Sequence, residues 1–324
     1  MLKDRYNRTI DYLRLSVTDR CDLRCGYCIP EGFNEFEPHE NWLSFEEIAR
    51  VVSTFARLGT RHFRLTGGEP LLRKGFTDLV RILSDIDGVE DLSLTTNGTQ
   101  LARFAFLLKE AGIQRLNVSL DSLNRTCFEQ ITGRDSLDKV LNGLKAAREA
   151  GFEQIKINMV ILPGQNDQDI ERMIAFCMEH NHILRLIEMM PVGKAAQKLP
   201  SFTIESLLAS YQDQFDLQPL TYSLGSGPAR YWKSGNSSFT LGLITPLSRH
   251  FCATCNRVRL TVEGTLYMCL GQNFTFGLRS LLRGNCSDRE LEEAIRHAVN
   301  LKPEKHEFLE KPDQISRTMA LTGG

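Results

Sequence analysis

Apolar and polar residues alternate with period two in several short segments of the first 190 residues. Leu13, Leu15 and Val17 enclose Arg14 and Ser16, while Phe63 and Leu65 alternate with Arg64 and Thr66. Leu92 and Leu94 do the same with Ser93 and Thr95, and Leu116, Val118 and Leu120 with Asn117, Ser119 and Asp121. Ile155, Ile157 and Met159 oppose Lys156 and Asn158. A sixth segment, Leu184 and Leu186 around Arg185, is less regular because Ile187 breaks it. Each segment reads as a strand whose successive side chains point to opposite faces. Between them the apolar period lengthens to that of a helix. Ser44 and Glu47 form a capping box ahead of Ile48, Val51, Val52, Phe55 and Leu58. Val140, Leu141, Leu144 and Ala147 mark a second helix, opening near Ser136, and Ile170, Met173, Ile174 and Cys177 a third, after Asn166.

Alternating strands and helices predict βα units around a parallel sheet. Strands buried on both faces are nearly continuously apolar, and these are not. If their apolar parity meets the helices, Arg14, Arg64, Thr95, Ser119 and Lys156 line an interior. A (β/α)8 barrel fills its lumen with branched apolar residues. The expected fold is therefore an α/β, incomplete (β/α)6 TIM-like barrel with a ligand cavity. Residues from Pro191 to Gly235 read as irregular. They separate a partial-barrel core over 5–230 from a C-terminal region over 231–324 that contains a helix from about Asp288.

Composition restricts the function. The 324 residues carry a net charge of −1, so no global basic field recruits nucleic acid or an acidic membrane. No apolar run reaches the ~18 residues of a membrane helix, and the start is polar. Nine cysteines without an export signal predict a cytoplasmic protein, where close cysteines more often bind metal than form disulfides.

Six of the cysteines form two trios, Cys21-x3-Cys25-x2-Cys28 and Cys252-x2-Cys255-x13-Cys269. A full electron-transfer 4Fe–4S cluster takes four thiolates. Trios suggest two clusters, each with one iron open to a small molecule. Zinc is the alternative, and His250 makes a Cys3His site chemically feasible at the second trio. Arg257 and Arg259, which follow Cys255, favour an anionic ligand approaching an open iron. Cys127, Cys177 and Cys286 read as small buried apolar residues.

The first trio, with Tyr27 before its last cysteine, and Thr66-Gly67-Gly68-Glu69-Pro70 downstream resemble the radical S-adenosylmethionine (SAM) superfamily. The run from Leu13 to Cys21, the run from Phe251 to Arg259, the x13 spacing and the terminal Gly323-Gly324 narrow the resemblance to its GTP 3′,8-cyclase family. That resemblance implies two 4Fe–4S clusters, SAM as cofactor and GTP as substrate of a lyase in molybdenum cofactor biosynthesis. It implies SAM contacts at Tyr27, Gly68, Ser119 and Met190, and GTP contacts at Arg14, Arg64, Thr95, Lys156, Arg185, Arg257, Val258 and Arg259. Of these, Arg14, Lys156, Arg257 and Arg259 would serve catalysis. It implies a glycine tail threaded into the active site, a low-potential donor of flavodoxin or ferredoxin type, cyclic pyranopterin monophosphate synthase downstream, and a monomer or homodimer. Another radical SAM enzyme with an auxiliary cluster, acting on a peptide or sugar, is the rival.

Overall fold

The six alternating segments all become strands: β1 (Tyr12–Ser16), β2 (His62–Thr66), β3 (Asp91–Thr96), β4 (Arg115–Ser119), β5 (Ile155–Ile161) and β6 (Ile183–Glu188). The computed structural model describes residues 1–192, 204–311, 315 and 317–323. Helices α1 (Phe45–Arg57), α2 (Phe76–Ser84), α3 (Leu101–Glu110), α4 (Arg125–Thr132), α5 (Leu137–Glu149) and α6 (Ile170–Glu179) connect the strands. The capping box opens α1 as expected: Ser44 Oγ accepts from Glu47 N–H at 3.2 Å, and a Glu47 carboxylate oxygen accepts from Ser44 N–H at 2.7 Å. The outward apolar residues of the strands, including Leu13, Phe63, Leu94, Leu116 and Ile157, are fully buried beneath these helices in one continuous core.

The C-terminal third does not build a sheet of its own. It contributes α7 (Glu205–Gln214), β7 (Leu217–Pro219), β8 (Arg230–Ser234), β9 (Thr240–Ile244), β10 (Arg257–Leu260), β11 (Thr265–Tyr267) and β12 (Thr275–Gly277). The helices α8 (Arg279–Arg283), α9 (Asp288–Asn300) and α10 (Met319–Thr322) follow. All strands join one sheet in the order β12-β11-β10-β1-β2-β3-β4-β5-β6-β9-β8-β7. The sequence suggested six parallel strands; the parallel array runs from β10 through β1–β6 to β9. β9 and β10 escaped that reading because no helix leads into either. β9 arrives antiparallel from β8, and β10 leaves antiparallel into β11.

Two further expectations change. The stretch read as irregular contains α7, β7 and β8, although residues 193–203 of it lie outside the described residues. Only Leu208 and Tyr211 of α7 are buried, too few for a visible helical period. Of the three remaining cysteines only Cys177 is fully buried; Cys127, in the first turn of α4, and Cys286 are half-buried.

Candidate functional site

The inward parity of the strands faces a cavity that is partly open to solvent. Arg14 from β1, Arg64 from β2, Thr95 from β3 and Arg185 from β6 line it, and β10 adds Arg257, Val258 and Arg259. Strands from the two ends of the parallel array therefore face the same space, so the sheet curls around it. Ile187, the residue that spoiled the sixth alternation, also lies on this wall.

Register decides which cations meet. Arg14 stands directly beside Arg64 on one side and Arg259 on the other. Burial, then Arg259 and Arg64, drives the Arg14 guanidinium well below its ordinary range. Burial, then Arg257, brings Arg259 to about 10. Burial also lowers Arg185 to about 10, where Asn158 Oδ1 accepts from its Nε at 2.8 Å and Asn117 Oδ1 accepts from its Nη2. Tyr12 offers its ring face to Arg64 and Arg257, 5.4 and 5.7 Å from the centroid. Among the described residues, the buried Thr95 Oγ1 and Arg257 Nε find no hydrogen-bond partner. Like charges crowded beside unsatisfied polar atoms fit an anionic, hydrogen-bonding ligand.

Lys156 is placed differently. It does not border the cavity; its ammonium donates to the Leu224 carbonyl and lies 5.6 Å from the Tyr231 ring centroid. Burial, then Arg185, Arg115 and Arg64, lowers it to about 7.

The thiol trios lie at opposite ends of the β1–β10 pair. Cys21, Cys25 and Cys28 occupy the loop after β1, whereas Cys252 and Cys255 precede β10, which runs parallel to β1. The β10–β11 hairpin returns Cys269 to the end where Cys255 sits. All three cysteines of the second trio line the cavity; those of the first do not border it. Burial, then Glu69, pushes the Cys21 thiol up to about 12. Burial, then Cys21, does the same for Cys28, and burial raises Cys25 strongly. Bare thiolates are disfavoured there, so deprotonation requires a metal's charge, which suits iron–sulfur ligation. At the second trio, burial raises Cys252 and Cys269. Burial alone would raise Cys255 too, but Lys302 and Arg257 bring it to about 7. Among the described residues no three ligating side chains converge on one metal ion. A cube does not need that convergence, since each thiolate takes a different iron. His250 is exposed and meets the His306 ring edge-on at 5.8 Å.

Of the residues expected around SAM, Tyr27 and Gly68 lie beside the first trio in the chain or by backbone contact. Tyr27 Oη donates to Asp121 at 2.7 Å, and burial holds that carboxyl up at about 6. Ser119 ends β4 half-buried, and Met190 lines the cavity. Gly68 shows why glycine is needed here. A Cβ on it would lie 2.2 Å from the Arg20 carbonyl oxygen, and one on Gly67 2.3 Å from that of Thr18. The motif is pressed onto the backbone leading to Cys21, with Gly68 N–H and Glu69 N–H donating to Thr18 and Arg20 at 2.7 Å. The close approach that these glycines permit is to the protein's own chain.

The tail reaches the same space. Met319 N–H donates to the Cys28 carbonyl at 3.3 Å, and Arg259 donates to the Gly323 carbonyl at 2.6 Å. Gly323 has φ +70°, and a Cβ there would lie 2.2 Å from Thr66 Cγ2. Gly324 lies outside the described residues. Tyr12, Lys302, His306 and Phe308 also line the cavity without having been singled out. Tyr12 shares the inward parity of Arg14 and could have been read from it. Nothing local marks the other three, which follow α9 in a polar stretch.

Two family descriptions match in succession: Radical SAM superfamily over residues 15–177 and Molybdenum Cofactor Synthesis C over residues 182–308. GTP 3′,8-cyclase of Marinobacter nauticus is 46% identical over 328 residues, spanning 100% of this chain and 98% of that protein. GTP 3′,8-cyclase 2 of Pseudomonas aeruginosa is 45% identical with the same coverage. The chain belongs to the GTP 3′,8-cyclase family of the radical SAM superfamily. Among solved structures, Streptococcus suis SuiB bound to S-adenosylmethionine superposes with a TM-score of 0.63 at 16% identity, over 97% of this chain and 77% of that one. That likeness concerns the fold alone: repeated βα units forming the partial barrel of radical SAM proteins. Among the described residues, no helix is long and apolar enough to cross a membrane.

Proposed function

We propose that this protein is an iron–sulfur, SAM-dependent lyase. It converts GTP to (8S)-3′,8-cyclo-7,8-dihydroguanosine 5′-triphosphate, the first step of molybdenum cofactor biosynthesis. The observation that carries this reading is one cation-lined cavity with a thiol trio at each end of the β1–β10 pair, in a full-length relative of GTP 3′,8-cyclases.

Cys21, Cys25 and Cys28 would hold the cluster that takes SAM, and Cys252, Cys255 and Cys269 a second cluster facing the substrate. When bound, the first cluster and SAM supply the one-electron chemistry that joins the ribose C3′ of GTP to C8 of guanine. Everything else asked of the chain is binding, orientation and exclusion of water. Arg14, Arg64 and Arg259 form a contiguous row suited to a triphosphate, and Arg185 is held ready by two asparagines. A triphosphate carries about four negative charges, and hydrogen bonds to charged groups contribute roughly 1.5–3 kcal/mol each. Three or four such contacts suffice for micromolar affinity after ordering costs. Thr95 and Arg257 carry unsatisfied polar atoms for the nucleoside, with Val258 between the two β10 arginines. Lys156 serves the phosphates by exchanging the Leu224 carbonyl for an anion. Tyr27, Gly68, Ser119 and Met190 are assigned to SAM. Gly323, tied to Arg259, closes the cavity against water. A flavodoxin- or ferredoxin-type donor supplies electrons, and cyclic pyranopterin monophosphate synthase consumes the product.

Anaerobic assays of two variants test this division of labour. Cys25→Ala should abolish SAM cleavage, whereas Cys255→Ala should leave uncoupled cleavage without cyclised product. Equal loss of both activities in the two variants would refute separate roles. GTP should also protect the protein against heat where other nucleotides do not; equal protection by all of them would point to a different substrate.

A further inference from the structure

Two buried cations from opposite ends of the chain converge on the second thiol trio. Lys302 is 2% exposed, and its ammonium donates to the carbonyls of Arg257 at 2.9 Å and Met268 at 2.6 Å. Its positive charge also acts on the buried Cys255 thiol, favouring the thiolate. Arg257 lies just beyond Cys255 and Met268 just before Cys269, so one side chain ties together the segments bearing two of the three thiols. Arg8, 8% exposed, reaches the third. Its guanidinium donates to the Cys252 carbonyl at 2.8 Å and to the Pro303 and Glu304 carbonyls at 2.6 and 2.7 Å. Asp4 fixes it, pairing with Nε at 2.6 Å while its other oxygen accepts the N–H groups of Tyr6 and Arg8.

The charges are unequal. Arg8 has its carboxylate, but among the described residues Lys302 forms no ion pair. A buried ammonium that donates to the carbonyls of Arg257 and Met268 pays a desolvation cost that neutral acceptors offset poorly. An ionised thiol trio would supply the missing negative charge.

We propose that Lys302 and Arg8 brace the second trio. Lys302 is the resident counter-cation and positioning residue of the cluster held there, and Arg8 locks the 302–304 segment onto Cys252. This rests on the reading that the second trio ligates a cluster.

The test uses the full chain, reconstituted anaerobically with iron and sulfide, in two backgrounds. One carries alanine at Cys21, Cys25 and Cys28 and keeps only the second trio; the other carries alanine at Cys252, Cys255 and Cys269. With only the second trio, the parent should bind about four irons. Adding Lys302→Met should lower this at least fourfold and abolish the electron paramagnetic resonance signal of the reduced cluster. Arg8→Gln should lower it in the same direction. With only the first trio, Lys302→Met should change neither iron content nor signal, which also controls for folding. Undiminished second-trio iron would overturn the brace, as would parallel loss in both backgrounds, which would make Lys302 a general element of the fold. A second-trio parent that binds no iron would instead sink the cluster reading itself.

Discussion

Replacing Arg14 with methionine separates a binding cation from a structural one, because the two roles predict opposite signs. The Arg14 guanidinium faces Arg64 and Arg259 on neighbouring strands. Strands lie about 4.8 Å apart, so side-chain charges on adjacent strands sit roughly 6 Å apart. At an effective dielectric of about 20, each pair then repels by about 3 kcal/mol, and solvent in the cavity reduces this to about 1–2 kcal/mol. Against that relief stands the loss of Arg14's own contacts, about 1 kcal/mol. With two such pairs relieved, Arg14→Met should therefore stabilise the GTP-free protein by about 1–3 kcal/mol, a rise of roughly 1.5–4.5 °C in melting temperature for a chain of this size. The same change removes one or more charge-assisted bonds to phosphate, so GTP affinity should fall roughly 10- to 150-fold. Differential scanning fluorimetry with and without GTP, on anaerobically reconstituted protein, reads the first effect, and equilibrium dialysis the second. A melting temperature lowered by several degrees, with an unchanged GTP shift, would refute the reasoning and make Arg14 a structural residue.

Other outcomes follow from the same geometry. Lys156, lowered to about 7, is charged in the free protein below that pH and neutral above it. A phosphate favours the charged form, so GTP binding at pH 8 should take up roughly 0.9 proton and weaken as pH rises further. Calorimetry in buffers of different ionisation enthalpy measures this, and Lys156→Met should abolish it. No uptake by the parent would remove Lys156 from the phosphate site. Gly68→Ala should destabilise by about 2–3 kcal/mol in urea and lower iron at the first trio, because its Cβ would meet fixed backbone at 2.2 Å; a change below about 0.5 kcal/mol would contradict the observed contact. Gly323→Ala should cut cyclised product at least tenfold with little change in melting temperature, since only the tail must yield; full activity would show that closure by the tail is dispensable.

The legible and illegible parts of this protein divide along residues. Arg14, Arg64 and Thr95 could be assigned to an interior from the sequence because the face a strand residue presents is a local property, whereas Arg185 came only from the resemblance. The capping box of α1 was equally visible, being complete within four residues. Other residues carried no such mark. Lys156 shares the inward parity yet stops short of the cavity, held by the carbonyl of Leu224, a residue far along the chain. The glycines of the Thr66–Pro70 motif are visible in the sequence, but only the folded chain revealed that they press against the backbone of Thr18 and Arg20.

By itself, then, the sequence determined the strand and helix pattern, the inward cations and the two thiol trios. These follow from periodicity and spacing, which are set by covalent neighbours. The tertiary structure decided that β10 pairs with β1, which sets the trios at opposite ends of that strand pair and aligns Arg259 with Arg14. It also decided that Arg8 and Lys302 meet at the second trio. Such pairings depend on which distant segments satisfy each other's backbone hydrogen bonds and buried charge, and that selection is made only when the whole sheet closes around its cavity.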